Sequence, residues 1–116
     1  MSTTATGRAA EQAAAQYLER CGYRVLEHNW RTRWCEIDLV AEKTGSLHFV
    51  EVKYRANAAQ GSGLDYITPK KLRQMRFAAD IYAADRHWQG GINIAAIEMC
   101  APDYAVGEFI ESIAAD

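Results

Sequence analysis

The chain is short of several things that decide a protein's class. No apolar run approaches the roughly 20 residues needed to span a bilayer. The first residues, Met-Ser-Thr-Thr-Ala-Thr-Gly-Arg, lack the apolar core of a secretory signal, so the expected location is cytoplasmic, with no membrane partner. Three cysteines (Cys21, Cys35, Cys100) are odd in number, far apart and without a CxxC spacing, which reads as free thiols in a reducing compartment. There is no internal repeat, linker or low-complexity tract beyond an alanine-rich opening. What remains is one domain over residues 1–116, with 1–6 expected as a disordered tail, and an apolar fraction of 49% that supports a real core.

Strong overall charge is missing too, since the formal net charge is −2. Its distribution is uneven. Residues 24–76 carry ten basic and six acidic side chains, net +4, against three basic and nine acidic in the flanks, net −6. A locally basic centre suits a phosphate-binding surface.

That centre contains two β-like runs, Cys35-Glu36-Ile37-Asp38-Leu39-Val40-Ala41 and Leu47-His48-Phe49-Val50-Glu51-Val52-Lys53, separated by Lys43-Thr44-Gly45-Ser46. Alternation of period two and a glycine-bearing break predict a hairpin. Symmetry about Thr44-Gly45 sets Asp38 opposite Glu51 and Glu36 opposite Lys53. Ile37, Leu39, Ala41, Val50 and Val52 then share one core face. The other face is apolar near the tip (Val40, Leu47, Phe49) and charged toward the open end. Directly opposed carboxylates repel unless a cation lies between them. Hard oxygen ligands suit Mg²⁺ or Mn²⁺, and a neighbouring lysine suits phosphate chemistry. The alternative is a solvated face on which Glu36–Lys53 is an ordinary ion pair and the two carboxylates diverge.

Around the hairpin, Thr6 is a candidate cap for a helix starting near Arg8 and ending at Gly22, with Glu11 at the edge of its apolar stripe. Tyr23 to Glu27 reads as a first strand. Trp30 and Trp34, interleaved with Arg31 and Arg33, either stack bases or close the edge of the core, the latter preferred for at least one of them. Residues 56–66 form a small-residue loop that is either mobile or functional, covering substrate or reaching a partner subunit. Thr68-Pro69 starts a second helix, with Leu72, Met75, Ala79, Tyr82 and Ala83 as its buried stripe and Lys70, Lys71, Arg73 and Arg76 crowding its first turns. Ile92 to Met99 reads as a buried strand and Val106 to Ile113 as an edge strand. The order helix, three strands, helix, two strands predicts an α/β fold, a mixed sheet flanked by helices.

Glu11, Gly22-Tyr23, Asn29-Trp30-Arg31, Glu36-Ile37-Asp38-Leu39-Val40-Ala41, Phe49-Val50-Glu51-Val52-Lys53 with Arg55, and Lys70 together resemble the bacterial YraN family, over about Gly7 to Ile110. That family is similar to archaeal Holliday-junction resolvases within the restriction-endonuclease-like PD-(D/E)XK superfamily. The resemblance implies an endonuclease-like α-β-β-β-α-β-β core and hydrolysis of DNA phosphodiesters on branched or damaged DNA. Asp38, Glu51 and the Val52 carbonyl would hold one or two Mg²⁺ or Mn²⁺ ions. Lys53 and Glu11 would complete the catalytic set, with Glu36 a secondary candidate. Arg31, Arg55, Lys70 and Arg73 would hold nucleic acid by its phosphates, DNA rather than RNA. The same likeness suggests a homodimer and leaves room for a protein partner. Two departures stand out: Ile37 occupies the place of the motif's proline, and Cys35 stands where a glycine is expected, crowding the site entrance. The competing class is a non-catalytic nucleic-acid-binding or adaptor protein retaining the nuclease fold. A plain structural domain with surface ion pairs is the third reading.

Overall fold

The computed structural model describes residues 5–57 and 66–113. The expected order holds: α1 (Ala5–Arg20), β1 (Arg24–Arg31), β2 (Glu36–Lys43), β3 (Ser46–Arg55), α2 (Pro69–Asp85), β4 (Gly91–Cys100) and β5 (Ala105–Ile110). The five strands form one mixed sheet in the order β1-β2-β3-β4-β5. Only β3 and β4 run parallel, and α2 supplies the crossover such a pair requires.

Ala10, Ala14 and Leu18 recur every four residues and line the buried side of α1. The helix begins earlier than the Arg8 start expected from the sequence. Ala5 and Thr6 are already helical, so Thr6 is neither the cap nor part of a tail, and residues 1–4 lie outside the described residues. Several threonines precede Arg8, and spacing alone does not choose among them. The other end is as expected. Gly22 takes φ +94°, its N–H donates to Glu19 O and the Tyr23 N–H to Leu18 O, which is the double bond of a glycine-closed helix end.

Thr44 and Gly45 take φ +53° and +80°, the two left-handed residues of a two-residue hairpin turn. Five pairs from Lys43↔Ser46 to Leu39↔Val50 follow the symmetric register. On the far side of β2, the first strand runs on to Arg31, past the expected end at Glu27. A bulge between Val25 and Glu27 and a left-handed Asn29 (φ +52°) let it bend and still pair Trp30 with Ile37.

Two cores lie on opposite faces of the sheet. Against α1 sit Leu39, Ala41, Val50, Ala95, Ile97 and Met99. Against α2 sit Ile37, Val40, Leu47, Phe49 and Ile94, with Met75, Ala78, Ala79 and Tyr82 from the helix. Ile37 therefore leaves the face it was expected to share with Leu39, and strand alternation breaks at Asp38, the residue between them. At the far edge, β5 stops at Ile110 rather than Ile113. The chain runs on beside β4 without strand geometry, the Ser112 hydroxyl donating to Asn93 Oδ1 at 3.1 Å and the Ile113 N–H to Ile94 O at 2.7 Å. Most of the 56–66 loop, residues 58–65, lies outside the described residues.

Candidate metal and nucleic-acid site

The break in alternation at Asp38 is also where the hairpin opens. The paired ladder of β2 and β3 ends at Leu39↔Val50. Beyond it, Asp38 Oδ2 accepts the Val52 N–H at 2.8 Å. Because N–H and C=O of one strand residue project toward the same edge, the Val52 carbonyl faces this opening as well. Glu51 lies on the α2 side of β3, together with Lys53 and Arg55, since Val52 and Tyr54 pack toward α1. Lys71, in the first turn of α2, sets its Nζ 3.5 Å from Glu51 Oε1. From the other helix, Glu11 is half-buried, accepts a hydrogen bond from Asn29 Nδ2 at 3.0 Å, and lies close enough for its charge to act on both Asp38 and Glu51.

The electrostatics are those of crowded carboxylates. Burial above all, and then the Glu51 carboxylate, push Asp38 up to about 8 against the opposing Val52 N–H. Burial pushes Glu51 up too, while Lys71 and Lys53 pull it down. Glu36 Oε2 is buried and has no hydrogen-bond partner among the described residues, its nearest cation being Arg31 Nη2 at 3.6 Å. Two desolvated carboxylates and the adjacent Val52 carbonyl are hard oxygen groups of the kind that divalent cations take. Among the described residues, no three His, Cys, Asp or Glu side chains are arranged to hold an ion by themselves.

The remaining expected residues divide. Lys53 reaches over the Tyr66 ring, its Nζ 5.7 Å from the centroid. Lys70 and Arg73 are exposed on the outer side of α2, and Arg31 is exposed on the β1 edge. Arg31 rather than Lys53 is the ion-pair neighbour of Glu36, because β1 and not β3 lies opposite it. Arg55 is only 8% exposed, and its Nε donates to Glu98 Oε2 at 2.6 Å. Its guanidinium also lies 5.5 Å from the Tyr66 ring centroid. Cys35 lies beside the site as expected, its Sγ 3.7 Å from Glu36 O, and burial pushes its thiol up.

Sequence reasoning missed Lys71, Asn29 and Tyr66. Lys71 was legible, because it stands four and seven residues before Met75 and Ala78 and so shares the inward face of α2, whereas Lys70 and Arg73 do not. Asn29 had a weaker signal, a residue tolerant of left-handed backbone just after the first strand's apolar run. Nothing pointed to Tyr66, whose buried hydroxyl has no partner among the described residues. Of the two tryptophans, Trp30 packs edge-on to Tyr82 at 5.1 Å in the α2 core, and Trp34 is 60% exposed.

Fold and site define an α/β domain with a mixed five-stranded sheet and a desolvated carboxylate pair where its central hairpin opens. The chain matches the model of the uncharacterised protein family UPF0102 over residues 10–101, and it belongs to that family, in agreement with the YraN resemblance. It is 35% identical over 100 residues to a UPF0102 protein of Cytophaga hutchinsonii, covering 86% of this chain and 88% of the relative. A UPF0102 protein of Pseudomonas putida is 39% identical over 88 residues, covering 75% and 72%. One from Syntrophomonas wolfei is 46% identical over 72 residues, 62% of this chain, and the match spans just under two thirds of that relative, 63% of its length. Among the described residues, no helix is long and apolar enough to cross a membrane.

Proposed function

We propose that this protein is a divalent-metal-dependent endonuclease of the restriction-endonuclease-like class, hydrolysing phosphodiester bonds in DNA, with branched or damaged DNA as the preferred substrate. The observation that carries the reading is the Asp38–Glu51 pair, two desolvated carboxylates on adjacent strands with Lys53 two residues along the same face. Crowded buried acids with strongly raised affinity for protons are costly to keep for structure alone and are characteristic of sites that bind cations.

Asp38, Glu51 and the Val52 carbonyl would hold Mg²⁺ or Mn²⁺. When bound, the ion supplies Lewis-acid activation of water and of the phosphate. The chain's own groups do the rest. Asp38 is oriented by the Val52 N–H. Glu11, steadied by Asn29, adds a third carboxylate from the helix side to align a water or a second ion. Lys53 offsets negative charge developing on the phosphoryl oxygens. Arg31, Lys70 and Arg73 offer exposed cations that hold phosphates without reading bases, so shape and not sequence is selected.

The test is cleavage of end-labelled duplex, single-stranded, flapped and four-way-junction DNA with Mg²⁺ or Mn²⁺. The expected result is metal-dependent cutting that falls by about 10²–10³ in Lys53→Ala, the scale of losing one charge-stabilising group. Cutting that persists in Lys53→Ala, or a folded wild type that cuts nothing with either ion, would overturn it. One observation favours the binding-only adaptor as the second reading: Lys71 already neutralises Glu51. An adaptor keeps its DNA affinity and lacks hydrolysis altogether.

A further inference from the structure

One surface feature next to the site is explained neither by the core nor by the carboxylates. Trp34 is 60% exposed and Phe77 52%, the exposed large apolar side chains among the described residues. They contact each other edge-on, centroids 5.7 Å apart, and with Lys70, Arg73 and Gln74 they line a groove of about 340 Å³, at the small end of ligand-sized pockets. The groove has a fixed wall. Thr32 Oγ1 accepts the N–H groups of Trp34 and Cys35, both at 3.1 Å, and the Thr32 N–H donates to Cys35 O at 2.8 Å. The 32–35 turn thus holds Trp34 outward at the cost of the burial that a tryptophan of this size would gain elsewhere.

The lining is selective. Its charged members are both cations, and the Arg33 guanidinium stands 5.3 Å from the Trp34 ring. An occupant must therefore combine a flat apolar face with negative charge. The groove also abuts the site at two points in sequence. Lys70 precedes Lys71, which pairs with Glu51, and Trp34 precedes Cys35, whose electrostatic neighbours are Lys71, Glu51, Asp38 and Glu36.

We propose that the Trp34–Phe77 groove is a stacking site for an unpaired nucleobase, its phosphates held by Lys70 and Arg73, so that the preferred nucleic acid carries a single-stranded segment next to the carboxylate pair. A base inside a duplex cannot offer its face to Trp34, whereas an end, a flap or a junction arm can. The inference deepens the nucleic-acid reading of the site and rests on it, but it does not depend on hydrolysis.

The experiment is fluorescence anisotropy of a fluorescein-labelled oligo(dT) strand and of a duplex of equal length, in EDTA so that nothing is cut. Trp34→Ala is expected to weaken single-strand binding about tenfold, within the range for losing one base–aromatic stack, and to change duplex binding less than twofold. Trp34→Phe, which keeps a ring, is expected to stay within threefold of wild type. If Trp34→Ala does not fold, Phe77→Leu against Phe77→Tyr makes the same comparison from the other wall. Equal loss on both probes, or no loss on either, would overturn the inference. So would light scattering in which Trp34→Ala turns a dimer into a monomer at unchanged DNA affinity, which would give the groove to a second copy of the chain. Single-strand binding that requires Trp34, without cleavage under Mg²⁺ or Mn²⁺, supports the stacking site and removes the hydrolase. Cleavage indifferent to Trp34 does the reverse.

Discussion

Asp38 Oδ2 accepts the Val52 N–H at 2.8 Å, so that a side chain of β2 takes over where the main-chain ladder of the hairpin stops. The carboxylate is both a structural acceptor and an ionisable group held against Glu51, and substitution can separate these roles. Asp38→Asn keeps the acceptor and removes the charge. Since the native carboxyl sits at about 8 against 3.8 when free, the folded state retains a proton that the unfolded chain releases. This contribution to stability is complete below about pH 4 and is lost as the pH rises through about 8. Asp38→Asn should therefore raise the melting temperature at pH 8.5 by about 4 °C or more, roughly 1 kcal/mol, and give no gain at pH 4. It should also remove stabilisation by added Mg²⁺ or Mn²⁺. Thermal melts across this range decide the matter, and a constant offset at every pH would refute the assignment.

Asn29 combines a left-handed backbone with a hydrogen bond to Glu11. Glycine adopts that backbone freely, and alanine does not. Asn29→Gly should leave the urea midpoint near wild type, whereas Asn29→Ala should cost about 1 kcal/mol from strain. On the proposed nuclease reading both should lower DNA cleavage by about tenfold, because both release Glu11. Equal activity in wild type and Asn29→Gly would show that Glu11 needs no support from this amide.

The Arg55–Glu98 pair is nearly closed to solvent, with side chains 9% and 13% exposed. Removing one partner takes this ion pair from the other in a nearly closed setting, so Glu98→Gln or Arg55→Met alone should destabilise by about 3–5 kcal/mol. Arg55→Met with Glu98→Leu should recover much of that loss. Chemical denaturation of the three variants provides the comparison. The double variant is also expected to bind DNA within about twofold of wild type, in contrast to Lys70→Ala and Arg73→Ala, each of which removes about one unit of salt dependence.

Much of this was legible in the sequence because local signals agreed with one another. The hairpin register as far as Leu39↔Val50 followed from a two-residue turn and strict alternation, though the expected pairs Asp38–Glu51 and Glu36–Lys53 do not form; the end of α1 followed from Gly22, and the start of α2 from Thr68-Pro69, whose threonine Oγ1 accepts the Lys71 N–H at 3.0 Å. Period-two alternation misplaced Ile37 because it assumes an unbroken strand, and the ladder yields at Asp38, where the site is built. The partner of Arg55 was not legible, because a strand residue's charge says nothing about what lies across the sheet from it. Glu98 lies 43 residues away and reaches it only through the parallel pairing of β3 with β4. Lys70 and Lys71 look alike in sequence, and one residue of helical phase sends the first to solvent and the second to Glu51.

At the opposite end of the sheet, His48 is 3% exposed, lies edge-on to the Tyr23 ring at 5.0 Å, and has Nε2 3.3 Å from Asn93 Nδ2 and 3.6 Å from Glu111 Oε2. Burial lowers its affinity for a proton below the usual 6.5, against the pull of Glu111. The native imidazole is therefore neutral where the unfolded one has begun to charge. Stability from this group is present above about pH 6.5 and declines as the pH falls below it. Asp38 acts in the opposite sense between about 8 and 4, and Glu51, also pushed up by burial, acts with it, so His48 offsets part of their slope. His48→Gln removes that offset while keeping an amide for Asn93. Urea midpoints at pH 7.5 and 5.5 should show the variant gaining on wild type as the solution is acidified. A variant that instead falls further behind in acid would mean that His48 is charged in the native state, ion-paired with Glu111, and that burial is the weaker of the two effects.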